Sequence, residues 1–212
     1  MPDSIDRVAA DMLDGVAALR ARHPLALDPQ RAALIVLDLQ RYFADPASHA
    51  FIPSLPAIVP RVEAVAGAFV GRGRPVILTR HVDSADTGTA MRAWWQGAIH
   101  ADEEESEIIE AMRVFDATIL IKHSYDAFVA TDLDARLRAA NVKQVVICGV
   151  HAHLCCETTA RSAFVRNYEV FIAVDGTATY NEAFHRASLL NLAHGFAVPV
   201  LCSEVAAALD ER

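Results

Sequence analysis

The chain has 212 residues, of which 53% are hydrophobic and 22% are charged. This length suits a single α/β domain with a substantial core, and this composition is not that of a disordered chain. The formal net charge of −8 argues against nucleic acid or an anionic membrane as the main partner. No apolar stretch approaches the roughly 18 residues of a membrane span, and the acidic start lacks the apolar core of a signal peptide.

The cysteines give no sign of a disulfide framework or of a zinc site. The chain has only four, at Cys148, Cys155, Cys156 and Cys202, and none of them form a C-x-x-C pair. A reduced, cytoplasmic setting is therefore expected.

Apolar periodicity predicts strands that alternate with helices from end to end. Strands are predicted over 34–37, 75–79, 118–121, 145–148, 169–174 and 197–202. Helices are predicted over 4–22, 57–71, 106–115, 131–140, from 155 onward, over 181–194 and at the very end, with 82–104 irregular. This alternation indicates a three-layer α/β/α sandwich around a six-stranded, mostly parallel, Rossmann-like sheet. Residues 1–31 are predicted to be an N-terminal arm that packs on its own domain or on another subunit, and residues 32–212 the domain.

Polar side chains follow two of the predicted strands at the point where each strand ends. Asp38 comes directly after the run Leu34 to Leu37, and Lys122 comes directly after Thr118 to Ile121. Ligands of open α/β sheets bind at the carboxyl ends of the strands. Each residue also has a purely structural interpretation, in which Asp38 caps a turn and Lys122 extends its ammonium into solvent.

The third candidate is one of two adjacent cysteines after the fourth strand. Cys156 shares an apolar helical stripe with Ala160, Ala163 and Phe164, whereas Cys155 lies about 100° round the helix on a polar face. Most cysteines after a strand are core residues. A thiol at a helix N-terminus, however, is expected to have a lowered pKa, and the amides there suit an oxyanion.

Asp38, Lys122 and Cys155 form a coherent set for acyl transfer. The thiol would be the nucleophile, Asp38 would move its proton, and Lys122 would stabilise the thiolate. The chain has no G-x-S-x-G, no G-x-G-x-x-G and no P-loop, which argues against a serine hydrolase and against nucleotide enzymes.

The segments LDLQRYF, IKHSYDAF and GVHAHLCCETTARSAF together resemble the isochorismatase-like cysteine hydrolases, over roughly residues 32–205. That group includes nicotinamidases, N-carbamoylsarcosine amidases and ureidoacrylate-type hydrolases. The resemblance implies an Asp38–Lys122–Cys155 triad and a cis peptide between Val150 and His151. It also implies an oxyanion hole formed by the N–H groups of His151 and Cys155, and association into a homo-oligomer.

The sequence departs from two branches of this group. The Asp-x-His pair with which nicotinamidase-like members bind a metal is missing, and Asp45 and His49 are poorly spaced to replace it. We therefore predict no metal and no cofactor. The Arg-Tyr-Phe segment after Asp38 and the Trp94-Trp95 pair resemble segments of true isochorismatases. Those enzymes cleave a vinyl ether and lack the cysteine, however, whereas this chain has it.

Two enzymatic readings and one non-catalytic reading remain open from sequence. The first is a cysteine amidohydrolase of a small carboxamide or ureido compound, and the second is a vinyl ether hydrolase with Asp38 as general acid. The third is a binding or assembly module that keeps the fold, against which the presence of all three polar groups argues. The predicted pocket residues favour a planar or carboxylate-bearing small molecule, and they are Phe43, Arg80, His81, Trp94 and Tyr125.

Overall fold

The computed structural model describes residues 2–84 and 89–210, and side chains only from residue 5 and, after the gap, from residue 90. Within this part of the chain six parallel strands form one sheet in the order β3-β2-β1-β4-β5-β6. The strands are β1 (Ala32–Leu37), β2 (Val76–His81), β3 (Thr118–Lys122), β4 (Gln144–Val150), β5 (Glu169–Ala178) and β6 (Val198–Val200). The predicted three-layer α/β architecture is confirmed.

Helices flank the sheet on both faces. They are α1 (Pro2–Gly15), α2 (Ala17–Arg20), α3 (Arg41–Ala44), α4 (Leu55–Gly71), α5 (Thr89–Trp95), α6 (Glu110–Arg113), α7 (Leu133–Ala139), α8 (Glu157–Val165), α9 (Glu182–Gly195) and α10 (Cys202–Asp210). A 3₁₀ turn, Glu104–Ser106, and a π-helical turn, Ala152–Cys156, complete the regular structure of the described residues. No helix in the described ranges is long and apolar enough to cross a membrane.

Alternate residues of the central strands enter two separate cores. Leu34 and Val36 of β1 face one core, closed by α4 and α10, whereas Ile35 and Leu37 face the other, closed by α1, α7, α8 and α9. Because both faces are covered, the central strands read as continuous apolar runs rather than as alternating ones.

The sheet grows outward from β1 and β4 in opposite directions. β1 pairs with β2 on one side and with β4 on the other, so the loops after β1 and β4 leave the sheet at a switch point. In sheets of this kind a crevice for ligands opens at the carboxyl ends of the strands at that point. Asp38 and the Cys155 turn follow these two strands.

Gly149 allows β4 to approach β1 at this point. Its φ is +109°, and a Cβ built on it would lie 2.1 Å from the backbone oxygen of Leu37. No side chain larger than hydrogen fits there without moving the backbone. The β4–β5 register also shifts between Ile147 and Gly149.

The N-terminal helix packs on its own chain. Ala9, Met12 and Val16 are buried in the second core with Val174 of β5 and Leu189 of α9. The apolar face that suggested a subunit contact is thus covered within the chain. Association into a homo-oligomer stays a prediction.

Several element limits differ from those predicted. The predicted helix over 106–115 is reduced to the short α6, because Ile108 instead pairs with Gln40 in an isolated antiparallel bridge. The predicted sixth strand ends early, since the Asp175 carboxylate accepts a hydrogen bond from Cys202 N at the start of α10. The region predicted to be irregular contains α5, and β5 continues four residues beyond the predicted end.

Candidate active site

Asp38 is the first residue after β1 and is fully buried. It has a φ of 51°, in the left-handed region, and its own N–H donates to Thr79 Oγ1 at 3.1 Å. The Thr79 hydroxyl in turn donates to Asp38 Oδ1 at 2.6 Å. The hydroxyl of β2 therefore fixes both the backbone and the carboxylate of Asp38.

Lys122 reaches Asp38 across the intervening strand β2. Its Nζ lies 2.8 Å from Asp38 Oδ2, donates to Ser124 O at 2.9 Å, and lies 3.4 Å from Cys155 Sγ. The side chain is completely buried. A buried ammonium needs such compensation, since removing a charge from water costs several kcal/mol.

Cys155 lies in the π-helical turn that joins β4 to α8. It is 5% exposed and lines a cavity, whereas its neighbour Cys156 is fully buried and packs with Ala160 and Ala163 in the second core. Phe164 does not complete this stripe as predicted, because it is exposed and packs edge-on against Phe196. The Val150–His151 peptide bond before the turn is cis.

The carboxylate and the ammonium form a charged pair at rest. Burial pushes the pKa of Asp38 upward, but the Lys122 charge and the His81 and Thr79 contacts outweigh it and leave that pKa below its usual value. Burial likewise favours neutral Lys122, but Asp38 and Cys155 raise its pKa. Asp38 is therefore ionised and Lys122 protonated at neutral pH.

The resting thiol is neutral, contrary to the expectation from its place at a helix start. Burial, together with the nearby Asp38 charge, raises the pKa of Cys155 to about 12 against the opposing effect of Lys122. The helix amides and Lys122 favour the thiolate, but the desolvation of a buried thiol outweighs them. A base is therefore needed to remove the thiol proton.

Two buried histidines near the triad are also neutral at pH 7. Burial lowers the pKa of His81 to about 4, and the charge of Lys122 contributes to this shift. Burial, with the neighbouring His153, lowers the pKa of His151 to about 3. The Nδ1 atom of His81 lies 3.5 Å from Lys122 Nζ.

The cavity in front of Cys155 has a volume of about 70 Å³ and mainly aromatic walls. The His151 ring packs edge-on against Phe43 at 4.8 Å between centroids, and Tyr180 packs on the same ring at 4.7 Å. The indole N–H of Trp95 donates to Tyr125 Oη at 2.5 Å. Aromatic walls of this kind suit a planar ligand.

The structure brings some of the predicted pocket residues to this cavity and not others. Phe43, His81 and Tyr125 line it. Trp94 is 78% exposed and lies outside it, and the adjacent Trp95 takes the wall position instead. Arg80 also lies outside, because its guanidinium donates to Ser106 O and Ala101 O and pairs with Glu107 at 2.8 Å.

Sequence reasoning missed several residues of the site. Thr79 and Asp83 could have been found from the sequence, because both lie near the carboxyl end of β2, at the edge where ligands bind. Tyr42, Trp95 and Tyr180 come from helix α3, helix α5 and a loop, whose path over the sheet no local pattern predicts.

The described residues do not fit a metal centre. No group of three or more His, Cys, Asp or Glu side chains within 2–84 and 89–210 could hold a metal ion. Both ring nitrogens of His49 lie 3.3 Å from the Tyr42 hydroxyl. His81 faces the Lys122 ammonium through Nδ1 and the Asp83 carboxylate through Nε2, at 3.9 Å, and this histidine–carboxylate pair falls short of a group of three ligands.

A cysteine, a carboxylate and an ammonium together at the carboxyl edge of a parallel sheet suit hydrolytic chemistry, and comparisons with known proteins point to hydrolases. The family described as "Isochorismatase domain" matches residues 32–204. Nicotinamidase 3 of Arabidopsis thaliana is 37% identical over 179 residues, which cover 82% of this chain and 86% of that protein. Phenazine biosynthesis protein PhzD1 of Pseudomonas aeruginosa is 31% identical and covers 85% of this chain and 87% of its own.

Solved structures give the same result. A cysteine hydrolase from Pseudomonas syringae superposes with a TM-score of 0.83 at 30% identity, covering 88% of this chain and 95% of that one. N-carbamoylsarcosine amidase from Thermoplasma acidophilum superposes with a TM-score of 0.71 at 25% identity, covering 86% and 98%. The chain belongs to the isochorismatase family of hydrolases, and it is an enzyme of that family.

Proposed function

We propose that this enzyme is a cysteine amidohydrolase that cleaves the C–N bond of a small carboxamide or ureido compound. Asp38 removes the proton of Cys155 as the sulfur attacks the carbonyl carbon. The charge that develops on sulfur is balanced by Lys122, whose Nζ lies 3.4 Å away. The N–H groups of His151 and Cys155 hold the carbonyl oxygen as it becomes negative.

Asp38 then returns the proton to the leaving nitrogen, which is bonded to the same carbon as the sulfur, and ammonia or an amine departs. This leaves an acyl group on the Cys155 sulfur, as a thioester from a carboxamide or as a thiocarbamate from a ureido compound. Water attacks that acyl carbon, and Asp38 accepts a proton from the water and passes it to the departing sulfur. The carboxylic or carbamic acid product is released and the thiol is restored. Each proton thus passes through one carboxylate.

The observation that supports this proposal most strongly is that the thiol lines the cavity and the carboxylate lies behind it, away from the cavity. Cys155 lines the cavity, whereas Asp38 is fully buried with its Oδ2 atom 2.8 Å from Lys122 Nζ. A substrate in the cavity meets the sulfur first. The carboxylate is positioned to act on the thiol and on atoms that bind to it.

The second candidate, vinyl ether hydrolysis, needs Asp38 to protonate the substrate directly. The aromatic walls and the 31% identity to a phenazine biosynthesis protein keep it under consideration. Against it, the pKa of Asp38 lies below its usual value although burial opposes this, because Lys122 and the contacts of His81 and Thr79 favour the anion. A carboxyl held in its anionic form is a poor general acid.

Replacing each cysteine in turn tests the proposal. Cys155→Ala should abolish ammonia release from a panel of small amides and ureides that includes nicotinamide. Cys156→Ala, the matched control in the core, should retain turnover. Brief treatment with iodoacetamide followed by mass spectrometry should place the first adduct on Cys155. Full ammonia release by Cys155→Ala would show that the amide is not cleaved through this thiol, whereas no ammonia release by the wild-type enzyme from any member of the panel would favour the vinyl ether reaction.

A further inference from the structure

The walls of the cavity carry one negative charge that the triad chemistry does not use. Asp83 lies two residues after the end of β2, lines the cavity, and has a side chain that is only 9% exposed. Its Oδ2 atom accepts the backbone N–H of Ile99 at 2.6 Å, which fixes its orientation. Its Oδ1 atom lies 3.9 Å from Nε2 of His81.

Nothing positive in the described cavity balances this carboxylate. His81 has a pKa of about 4, lowered mainly by burial and by Lys122, so its ring is neutral at pH 7. Lys122 carries a charge, but Asp38 neutralises it at 2.8 Å. None of the described residues that line the cavity is a lysine or an arginine, and the segment 85–88, Ala-Asp-Thr-Gly, contains neither.

The arginine nearest in sequence is committed elsewhere. The Arg80 guanidinium is held by the carbonyls of Ala101 and Ser106 and by Glu107. The site therefore lacks the paired arginine that usually binds a carboxylate group. Like charges repel more strongly in a half-closed site than in water, because the effective dielectric constant is lower.

From this charge distribution we infer that the site accepts uncharged or cationic planar carboxamides and rejects anionic ones, and that Asp83 is the specificity-determining residue. The statement that carboxamides are cleaved rests on the proposed function, whereas the preference for uncharged or cationic molecules does not depend on it. Of the two ligand types expected from the sequence, it keeps the planar ligand and excludes the carboxylate-bearing one.

Two alkylating reagents of similar size and different charge test the preference without any turnover. Iodoacetamide is neutral and iodoacetate is an anion, and both label Cys155 if they enter the cavity. The ratio of their labelling rates at Cys155, measured by mass spectrometry, is divided by the same ratio for 2-mercaptoethanol. We expect the normalised ratio to favour iodoacetamide at least tenfold in the wild-type protein.

The variant Asp83→Asn keeps an acceptor for Ile99 N–H and removes the charge. It should bring the normalised ratio to within about threefold of unity, whereas Asp102→Asn, an exposed control that removes the same charge, should leave the ratio unchanged. A wild-type ratio near unity, or an unchanged ratio in Asp83→Asn, would overturn the inference.

Turnover gives a second readout on one scaffold. Benzamide, 3-carboxybenzamide and 3-(aminomethyl)benzamide are neutral, anionic and cationic versions of the same amide. If the enzyme cleaves them, kcat/KM should be at least tenfold lower for the anion than for benzamide, and Asp83→Asn should remove most of that gap. Preferential cleavage of the anion by the wild-type enzyme would contradict the inference. Failure to cleave any amide, with charge-selective labelling intact, would contradict the proposed function alone.

Discussion

At the scale of single residues, the site is a neutral thiol held beside an ion pair. The charges of Asp38 and Lys122 face each other at 2.8 Å, and the thiol beside them keeps its proton at rest. In the proposed mechanism the carboxylate has two tasks, since it is the base for the thiol as well as the partner of a buried ammonium. Replacing it should affect turnover and stability together.

The variant Asp38→Asn should lose turnover by a factor of about 10² to 10⁴, because an amide does not accept the thiol proton. It should also unfold more easily by about 3–5 kcal/mol, since Lys122 would keep a buried charge without its partner. Activity per folded protein and urea unfolding, measured on one sample, separate the two effects. Asp102→Asn serves as the exposed control. Near-normal kcat in folded Asp38→Asn would show that another group moves the proton.

The pH dependence of kcat/KM should be flat from about pH 6 to pH 9. The pKa of Asp38 lies below its usual value despite burial, because of Lys122. Burial puts the pKa of His81 at about 4 and that of Cys155 at about 12, so none of the three titrates within this range. Activity should fall as the pH approaches 4, when His81 gains a proton beside Lys122. An inflection near pH 6.5, measured with an amide that does not titrate, would indicate that a histidine is the base.

At the scale of elements, the junction of β1 and β4 positions the site. Asp38 follows β1 directly, and the turn that carries Cys155 follows β4. Gly149 sets how closely these two strands approach, and it does so through its missing side chain. The geometry of the triad therefore depends on a residue that has no chemistry of its own.

The variant Gly149→Ala should be destabilised by more than the roughly 1–3 kcal/mol of ordinary overpacking, because its Cβ would lie 2.1 Å from the Leu37 oxygen and its φ is +109°. Gly71→Ala is the matched control, since a Cβ there meets nothing within 4 Å. Thermal unfolding compares the two. Similar melting temperatures for both variants would show that β1 and β4 separate at little cost.

The sequence predicted the sheet better than it predicted the cavity, and the reason is physical. Strands buried on both faces appear as apolar runs, so β1, β2 and β4 were located to within two residues at each end. Because parallel strands end at one edge, the structure brings Asp38, Lys122 and Cys155 together as expected. Wall residues such as Asp83 and Tyr180 are placed by the paths of loops, which depend on tertiary contacts. The two tryptophans show the limit, since the pattern did not distinguish Trp94 from Trp95.

At the scale of the whole molecule, the N-terminal helix is part of the chain's own core. Met12→Ala should cost about 2–5 kcal/mol, as buried methionines do, whereas the exposed Asp14→Ala on the same helix should stay within about 0.5 kcal/mol. The loss should be the same at low and high protein concentration, because the contacts of Met12 lie within the chain. A loss seen only at low concentration would indicate that the helix acts between subunits. Light scattering on the same samples would measure the predicted homo-oligomer directly.

The neutral thiol of Cys155 also determines how the resting protein withstands chemical damage. Peroxides oxidise thiolates far faster than thiols, so a cysteine whose pKa burial raises to about 12 is oxidised slowly between catalytic cycles. An unusually acidic cysteine would gain nucleophilicity at the expense of its lifetime in air. Cys155 still lines the cavity, so small reagents should reach it before the fully buried Cys156, but its oxidation should be much slower than that of a cysteine that rests as a thiolate.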